Sequence, residues 1–390
     1  MKGSIIKRGN KYSFVIDVGR DPVTKKRKQK RVSGFTSEKK ARAAMNEMIV
    51  ELNRGGYVEP TTETLGDYLD SWLEHKRKRV VHSTYLHYKG NINNHIKPAI
   101  GDIRVHELNA RQVQRFYDSL LDNKLSERSV HHIHRILSNA LDYGAKLGDI
   151  NKNVAKAAEP ARVRKKEMKY WSIESLSKFI NDTRTEQFYI AWYIASFTGM
   201  RQGEVLGLKW DCVDFSNKMI YVKRSLKRSE ENNYHIADLK NNSSYRSISI
   251  SDSDVFELKK HLNEQKRIKM NAGDSYIDNN LVVATSIGTH VLPSNLGRAF
   301  RRSIKQSKLN KIRFHDLRHT HASMLFVLGV HPKIVQERLG HSSIQVTLDT
   351  YSHMLPNMQE AVAESLESAF KKQQENKNNS SGFKGDVTNS

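Results

Sequence analysis

Cysteine is almost absent from this chain: Cys212 stands alone among 390 residues. One thiol closes no internal disulfide and builds no cysteine-based zinc site, which fits a reducing compartment. Long apolar runs are missing too. The longest, Phe188 to Phe197, is about half of the ~20 residues that a membrane-spanning helix needs, and no amphipathic or lipid-anchor signal accompanies the charge. The start, Met1-Lys-Gly-Ser-Ile-Ile-Lys-Arg, lacks the apolar core of a secretory signal. These absences lead to the expectation of a soluble, cytoplasmic protein that needs no membrane. There is no P-loop and no carboxylate cluster suited to a pair of metal ions, so neither a metal nor another cofactor is expected. Acidic side chains are in deficit, 42 Asp and Glu against 65 Lys and Arg, for a net charge of +23. So basic a chain calls for a polyanionic partner, and nucleic acid fits best.

The length predicts two or three domains. Residues 1 to 60 hold 15 Lys and Arg against 6 Asp and Glu. Ser4 to Arg8 and Lys11 to Val18 read as strands around the hairpin dipeptide Gly9-Asn10, and a third strand includes Gln29 to Ser33. Thr36 or Ser37 then caps a helix to about Arg54 whose Ala41, Ala44, Met45, Met48, Ile49 and Leu52 form an apolar stripe. The basic run Lys25, Lys26, Arg27, Lys28, Lys30 and Arg31 lies on this small sheet, which is the right size to enter a major groove. From 64 to 150 the pattern is wholly helical, with four apolar faces that predict four short helices in one bundle. Its exposed cations include Lys76, Arg77, Lys89 and Arg135, placed for phosphates. Residues 151 to 169 lack periodicity and read as a basic linker. A third region, 170 to 372, begins with a helix at Trp171-Ser172, continues through a buried helix at Phe188 to Phe197, and contains three antiparallel strands, Met219 to Lys223, Tyr234 to Leu239 and Tyr245 to Ile250, the last two joined by Lys240-Asn-Asn-Ser-Ser as a hairpin. Residues 373 to 390 are polar enough to be disordered. The fold class expected is a multidomain chain, mainly α with small antiparallel sheets.

The chemistry concentrates between His315 and Tyr351. His315 and Arg318 are three apart, so a helix brings them to one ligand together. Gly340 should end a helix running from about Pro332 to Leu339, with Ser342 or Ser343 capping the next, which leaves His341 in the turn between. Tyr351 follows ten residues later. Imidazole, guanidinium and phenol together suit phosphoryl transfer to a tyrosine: arginine spreads charge over non-bridging oxygens, histidine holds or moves a proton, and the phenolate attacks. His315-x-x-x-His319 also imitates a zinc-protease pattern, but Asp316 is shorter than the glutamate needed there and Arg318 sets a fixed positive charge between the two ligands.

With Thr-Gly-Met-Arg201-x-Gly-Glu204, His315-Asp-Leu-Arg318-His-Thr, Leu-Gly-His341-Ser-Ser and Tyr351 in view, the chain resembles the tyrosine recombinases of the phage-integrase family, and its wording is nearest to integrases of temperate phages and integrative conjugative elements. The resemblance covers nearly the whole chain. It implies that residues 1–60 bind arm-type DNA sites, that 64–150 bind core-type sites, and that 170–372 form an α+β catalytic domain. It implies that Tyr351 is the nucleophile, forming a 3′-phosphotyrosine and a free 5′-hydroxyl, that Arg201, Arg318 and His341 bind the phosphoryl oxygens, that Lys240 is the general acid, and that His315 assists at Tyr351 or holds the phosphate. Glu204 supports the Arg201 turn. Asn241 and Asn242 follow Lys240 where relatives usually have Thr and a basic residue, so Lys223, Lys227 and Arg246 stay open as alternatives. The same resemblance implies double-stranded DNA as partner, a homotetramer on it, a small excisionase or directionality factor, a host DNA-bending protein, and action on the bacterial nucleoid. The competing readings are a recombinase that resolves chromosome dimers, against which the basic amino-terminal domain counts, and a non-catalytic DNA-binding relative.

Overall fold

The computed structural model describes residues 3–20, 26–53, 62–163, 168–229, 233–239, 244–351, 367–368 and 371, without the side chains of residues 19, 20, 28, 51, 53, 350 and 351. Lys25, Lys240 and the segment 373–390 lie outside the described residues. The chain divides into two compact units, Met1–Lys165 and Lys166–Ser390.

The first unit opens with three antiparallel strands in the order β1 (Gly3–Arg8), β2 (Lys11–Arg20) and β3 (Arg27–Phe35), followed by helix α1 (Glu38–Asn53). Gly9 takes the positive φ of +59° that the Gly9-Asn10 turn requires. Side chains alternate faces along β2, so Phe14 and Ile16 are buried together with Met45 and, more partially, with Ile5, Val32, Met48 and Ile49. Ser37 caps α1, its Oγ accepting from the Lys40 amide at 3.3 Å. β3 is four residues longer than the expected strand, and Arg27 is already in it. The helical remainder comprises α2 (Leu65–Arg77), α3 (His82–Asn91), a wide π-helical turn over Ile92–Ile96, the short α4 (Lys97–Ile100), α5 (Ala110–Asp122) and α6 (Glu127–Leu147). Two expectations are corrected here. The second predicted helix is not one regular α-helix: a π-helical turn over Ile92–Ile96 precedes Lys97 and Pro98, whose ring has no N–H to give and crowds the carbonyl one turn back. The last helix is not short: at 21 residues, it spans about 30 Å. Packing also continues past Leu147. Asn153 caps a tight turn over Val154–Ala157, and Ala155 and Ala158 are buried in the helical core, inside the stretch that lacked periodicity.

The second unit is built around α8 (Tyr189–Thr198). Ile190 through Ser196 are all buried, as an all-apolar helix must be. Around it lie α7 (Ile173–Asp182), α9 (Gln202–Leu206), α10 (Asp252–Ala272), α11 (Pro293–Gln306) and α12 (Asp316–Val327), followed by α13 (Pro332–Leu339) and α14 (Ile344–Tyr351). Phe179, Trp192 and Phe300 meet at the centre, with ring centroids 5.4–6.0 Å apart. Trp171 fixes the start of the unit by giving its indole N–H to the Asn310 carbonyl at 2.8 Å and its backbone N–H to Thr320 Oγ1 at 3.1 Å.

Five strands are present among the described residues where three were expected, and the pairing differs. They are β4 (Val213–Asp214), β5 (Met219–Val222), β6 (Arg224–Arg228), β7 (Tyr234–Asp238) and β8 (Arg246–Ser249). β7 pairs with β6, while β8 pairs with β5, Val222 opposite Arg246, in the order β4-β5-β8. The predicted second and third strands therefore do not form a hairpin with each other. β6 escaped notice because Arg-Ser-Leu-Lys-Arg buries only Leu226, which is too little apolar alternation to signal a strand.

Candidate active site

The site gathers at helix ends. Gly199 and Gly340, both in the left-handed region at φ +66° and +67°, terminate α8 and α13. Each exposes a carbonyl that an arginine from another element takes: Arg318 Nη1 donates to Gly199 O at 2.8 Å, and Arg201 Nη2 donates to Gly340 O at 3.0 Å. Arg318 projects inward from α12 and is 3% exposed. Arg201 precedes α9, and its side chain stays 38% exposed, open to a ligand.

Glu204 is the carboxylate that holds Arg201. Its Oε2 accepts from the Arg201 backbone N–H at 2.8 Å, and its Oε1 accepts from Arg201 Nη1 at 2.8 Å. Arg246 approaches from β8, its Nη2 donating to Oε2 at 2.8 Å. Burial pushes the Glu204 carboxyl up, but the bond and charge of Arg246 and the Arg201 N–H outweigh it and hold the group below the usual carboxylate range.

His341 occupies the turn after Gly340, as expected. Its Nδ1 and the Thr347 hydroxyl are 2.8 Å apart, and Ser343 Oγ accepts from the Val346 amide to begin α14. Burial, followed by the charges of Arg318 and Arg201, pushes the His341 imidazole down to about 3. His315 stands at the amino-terminal end of α12, its ring edge-on to His319 at 5.2 Å. The residue as a whole is exposed, yet desolvation of the ring, with His319 and Arg318 beside it, pushes it down to about 4. Both imidazoles are thus neutral near pH 7, able to give or accept one hydrogen bond at each nitrogen. Asp316 does not reach a ligand: it takes the Arg313 amide and guanidinium at 2.7 Å each and pins the helix start. No group of three His, Cys, Asp or Glu that could hold a metal ion occurs among the described residues.

The sequence candidates do not all fall here. Arg201, Glu204, His315, Arg318 and His341 come together. Tyr351 is the last residue of α14, with its side chain outside the described residues, as is the whole of Lys240. Of the alternative acids, Lys227 Nζ donates to the Asp238 carbonyl at 2.7 Å, Lys223 Nζ lies 5.4 Å over the Tyr221 ring, and Arg246 is committed to Glu204. Two further residues had no signal in the sequence. The buried His321 gives its Nδ1–H to Ser196 O at 2.9 Å and accepts from Arg338 Nε at 3.0 Å, and Arg338 also donates to Phe197 O and Ser249 O.

The cations expected at DNA lie in the first unit, on different faces. Arg31 and Arg27 pair with the side of the sheet that carries Ser13 and Asp17, Arg31 Nη2 donating to Ser13 Oγ and Arg27 Nε to Asp17. Lys30 lies opposite Ile16, on the helix side, and so faces away from Arg31; Lys26 is exposed before β3. On the helices, Lys76 and Arg77 ride over the rings of Trp72 and Tyr85, and Lys89 and Arg135 are exposed. His87 of α3 meets His132 of α6 at 5.8 Å. No helix among the described residues is long and apolar enough to cross a membrane.

Three family models match successive parts of the chain. Residues 167–358 match the phage integrase family, 64–121 match the phage integrase N-terminal SAM-like domain, and 4–52 match an arm DNA-binding domain. A XerC-like tyrosine recombinase of Caldanaerobacter subterraneus is 29% identical over 389 residues, covering 95% of this chain and 99% of that protein. The ICEBs1 integrase of Bacillus subtilis is 29% identical over 293 residues, covering 73% and 77%. Among solved structures, the Tn1549 transposon integrase in complex with a circular intermediate DNA shares the fold at a TM-score of 0.68 and 20% identity, over 78% of this chain and 99% of that one. The chain belongs to the phage integrase family of tyrosine recombinases, enzymes that break and rejoin DNA.

Proposed function

We propose that the chain integrates and excises a mobile element, a prophage or a conjugative element, by cutting and resealing DNA at attachment sites through a 3′-phosphotyrosine. Tyr351 attacks the scissile phosphodiester, Arg201, Arg318 and His341 bind its non-bridging oxygens, His315 assists the proton at Tyr351, and Lys240 protonates the departing 5′-oxygen. The observation that carries the reading is that Arg318 and Arg201 are held at the carboxyl ends of α8 and α13, on the Gly199 and Gly340 carbonyls, with His341 in the turn that follows and Arg201 left open to solvent. Such an arrangement leaves positive charge for the pentacoordinate phosphoryl group, and its donors are fixed before the substrate arrives. A phosphotyrosine keeps the energy of the bond it replaces, so rejoining needs no nucleotide.

In this reading residues 64–150 hold core-type DNA, 1–60 hold arm-type DNA, and 170–372 cut. Both strands of two duplexes require four tyrosines, hence a tetramer on DNA, with a directionality factor and a DNA-bending host protein as further partners. The test is covalent trapping on a nicked attachment-site duplex, run on a denaturing gel. Wild type gives a DNA-linked band that chelator does not remove, Tyr351→Phe gives none, and Arg318→Ala gives roughly 10²- to 10³-fold less. Tight binding without any adduct from wild type on a verified site would sink the proposal.

A further inference from the structure

Resting on the reading that Arg201 and His341 hold the phosphate, we propose that Arg246 is a positioning residue for strand cleavage: from the first residue of β8 it fixes both phosphate-binding side chains at once, one through Glu204 and the other through the carboxyl end of α13.

The Arg246 side chain is 5% exposed and the Glu204 side chain 3%. Four of the five guanidinium N–H groups are spoken for by geometry alone. Nη2 and Nη1 donate to the two Glu204 oxygens at 2.8 and 3.3 Å, Nη1 also faces the Ser244 carbonyl at 3.3 Å, and Nε donates to the Arg338 carbonyl at 2.8 Å. Glu204 passes the constraint to the Arg201 backbone and guanidinium. The Arg338 carbonyl belongs to the last turn of α13, next to the Gly340 carbonyl that Arg201 itself takes. One guanidinium therefore ties β8 to α9 and to the turn that presents His341. Lysine has no planar fork with which to span the two acceptors.

The charges argue the same way. Glu204 sits between two guanidinium groups, and without Arg246 its whole negative charge would fall on Arg201, weakening the pull on an incoming phosphodiester. Arg246 is not the proton donor: a guanidinium stays protonated, and these N–H groups already face other oxygens.

The full-length chain is assayed as wild type, Arg246→Met, Arg246→Lys and Arg246→Ala, measuring core-site affinity, the single-turnover rate of phosphotyrosine formation, and the thermal midpoint. Arg246→Met is expected to lose about 100-fold in rate, the scale of a 1 Å misplacement, while affinity stays within about threefold. Arg246→Lys should recover less than a tenth of the loss, and guanidinium ions should restore part of the Arg246→Ala rate. Should the methionine variant not fold, the lysine variant still has to fall at least about tenfold. A substrate with a 5′-bridging sulfur, whose thiolate leaves without a proton, separates the roles: rescue of Arg246→Met by it would make Arg246 the acid and overturn the proposal. So would a wild-type rate in Arg246→Met, or equal losses in affinity and rate. Failure of wild type to form an adduct would instead overturn the functional reading beneath it.

Discussion

His321 is held neutral from both sides, donating a hydrogen bond to the Ser196 carbonyl and accepting one from Arg338. Burial first, then the Arg338 charge, pushes it down to about 3. An unfolded imidazole takes its proton near pH 6.5, so between pH 6.5 and about 3 the unfolded chain binds the extra proton and stability falls as pH drops. The slope from this one group is about 1.4 kcal/mol per pH unit. Urea midpoints measured from pH 7 to pH 5 should decline, and His321→Asn should flatten the decline; parallel curves for the two proteins would refute the assignment. Individual residues were legible in the sequence where chemistry announces itself, as at Arg201, His315, Arg318 and His341. His321 and Arg338 were not, because nothing in a helical pattern marks which polar side chain turns inward. Arg246 was noticed only as a possible acid, since its partner Glu204 lies 42 residues away and the strand that brings them together is a tertiary fact.

Helix ends organise the site more than helix bodies do. Gly199 shows why: a Cβ there would lie 2.6 Å from Leu339 Cδ2 and 2.8 Å from His321 Cδ2, at a φ of +66°. Gly148, at φ +81°, has nothing within 4 Å. Gly148→Ala should therefore cost about 1–2 kcal/mol, the strain of left-handed backbone, and Gly199→Ala that strain plus roughly 1–3 kcal/mol of overpacking, with cleavage falling as Leu339 and His321 are displaced. Equal urea midpoints for the two variants would contradict this. The caps at Ser37, Gly340 and Ser343 were readable because capping is local. The β7 partner was not: strand pairing is long-range, and β6 hides its strand character behind charge. The π-helical turn before Pro98 was missed for the opposite reason, since the apolar spacing ran on smoothly through it while the backbone could not.

At the scale of the whole chain, a charge of +23 is spread over a basic sheet, a helical unit bearing exposed cations and a site whose arginines outnumber its carboxylates. DNA binding should weaken steeply with salt, by about 0.9 in log–log slope for each phosphate neutralised. Deleting residues 1–60 should reduce the slope on full attachment sites, cripple integration between them, and spare cleavage of core-site DNA; full integration by the truncated protein would refute the two-site arrangement. Composition made the polyanion legible and the motifs made the family legible. Which cations share a face was not, because along a strand that answer reverses with every residue, as Lys30 and Arg31 do. The β5–β8 ladder has one last consequence. Because Val222 and Arg246 are opposite one another, the ends of the segment 223–245 are held together by a frame outside it, and β6 within it is anchored by the buried Leu226. Closing a longer loop between fixed ends costs only a logarithm of its length. The reach of the stretch between β7 and β8 can therefore be retuned by insertion or deletion while the anchor at Arg246 stays where it is.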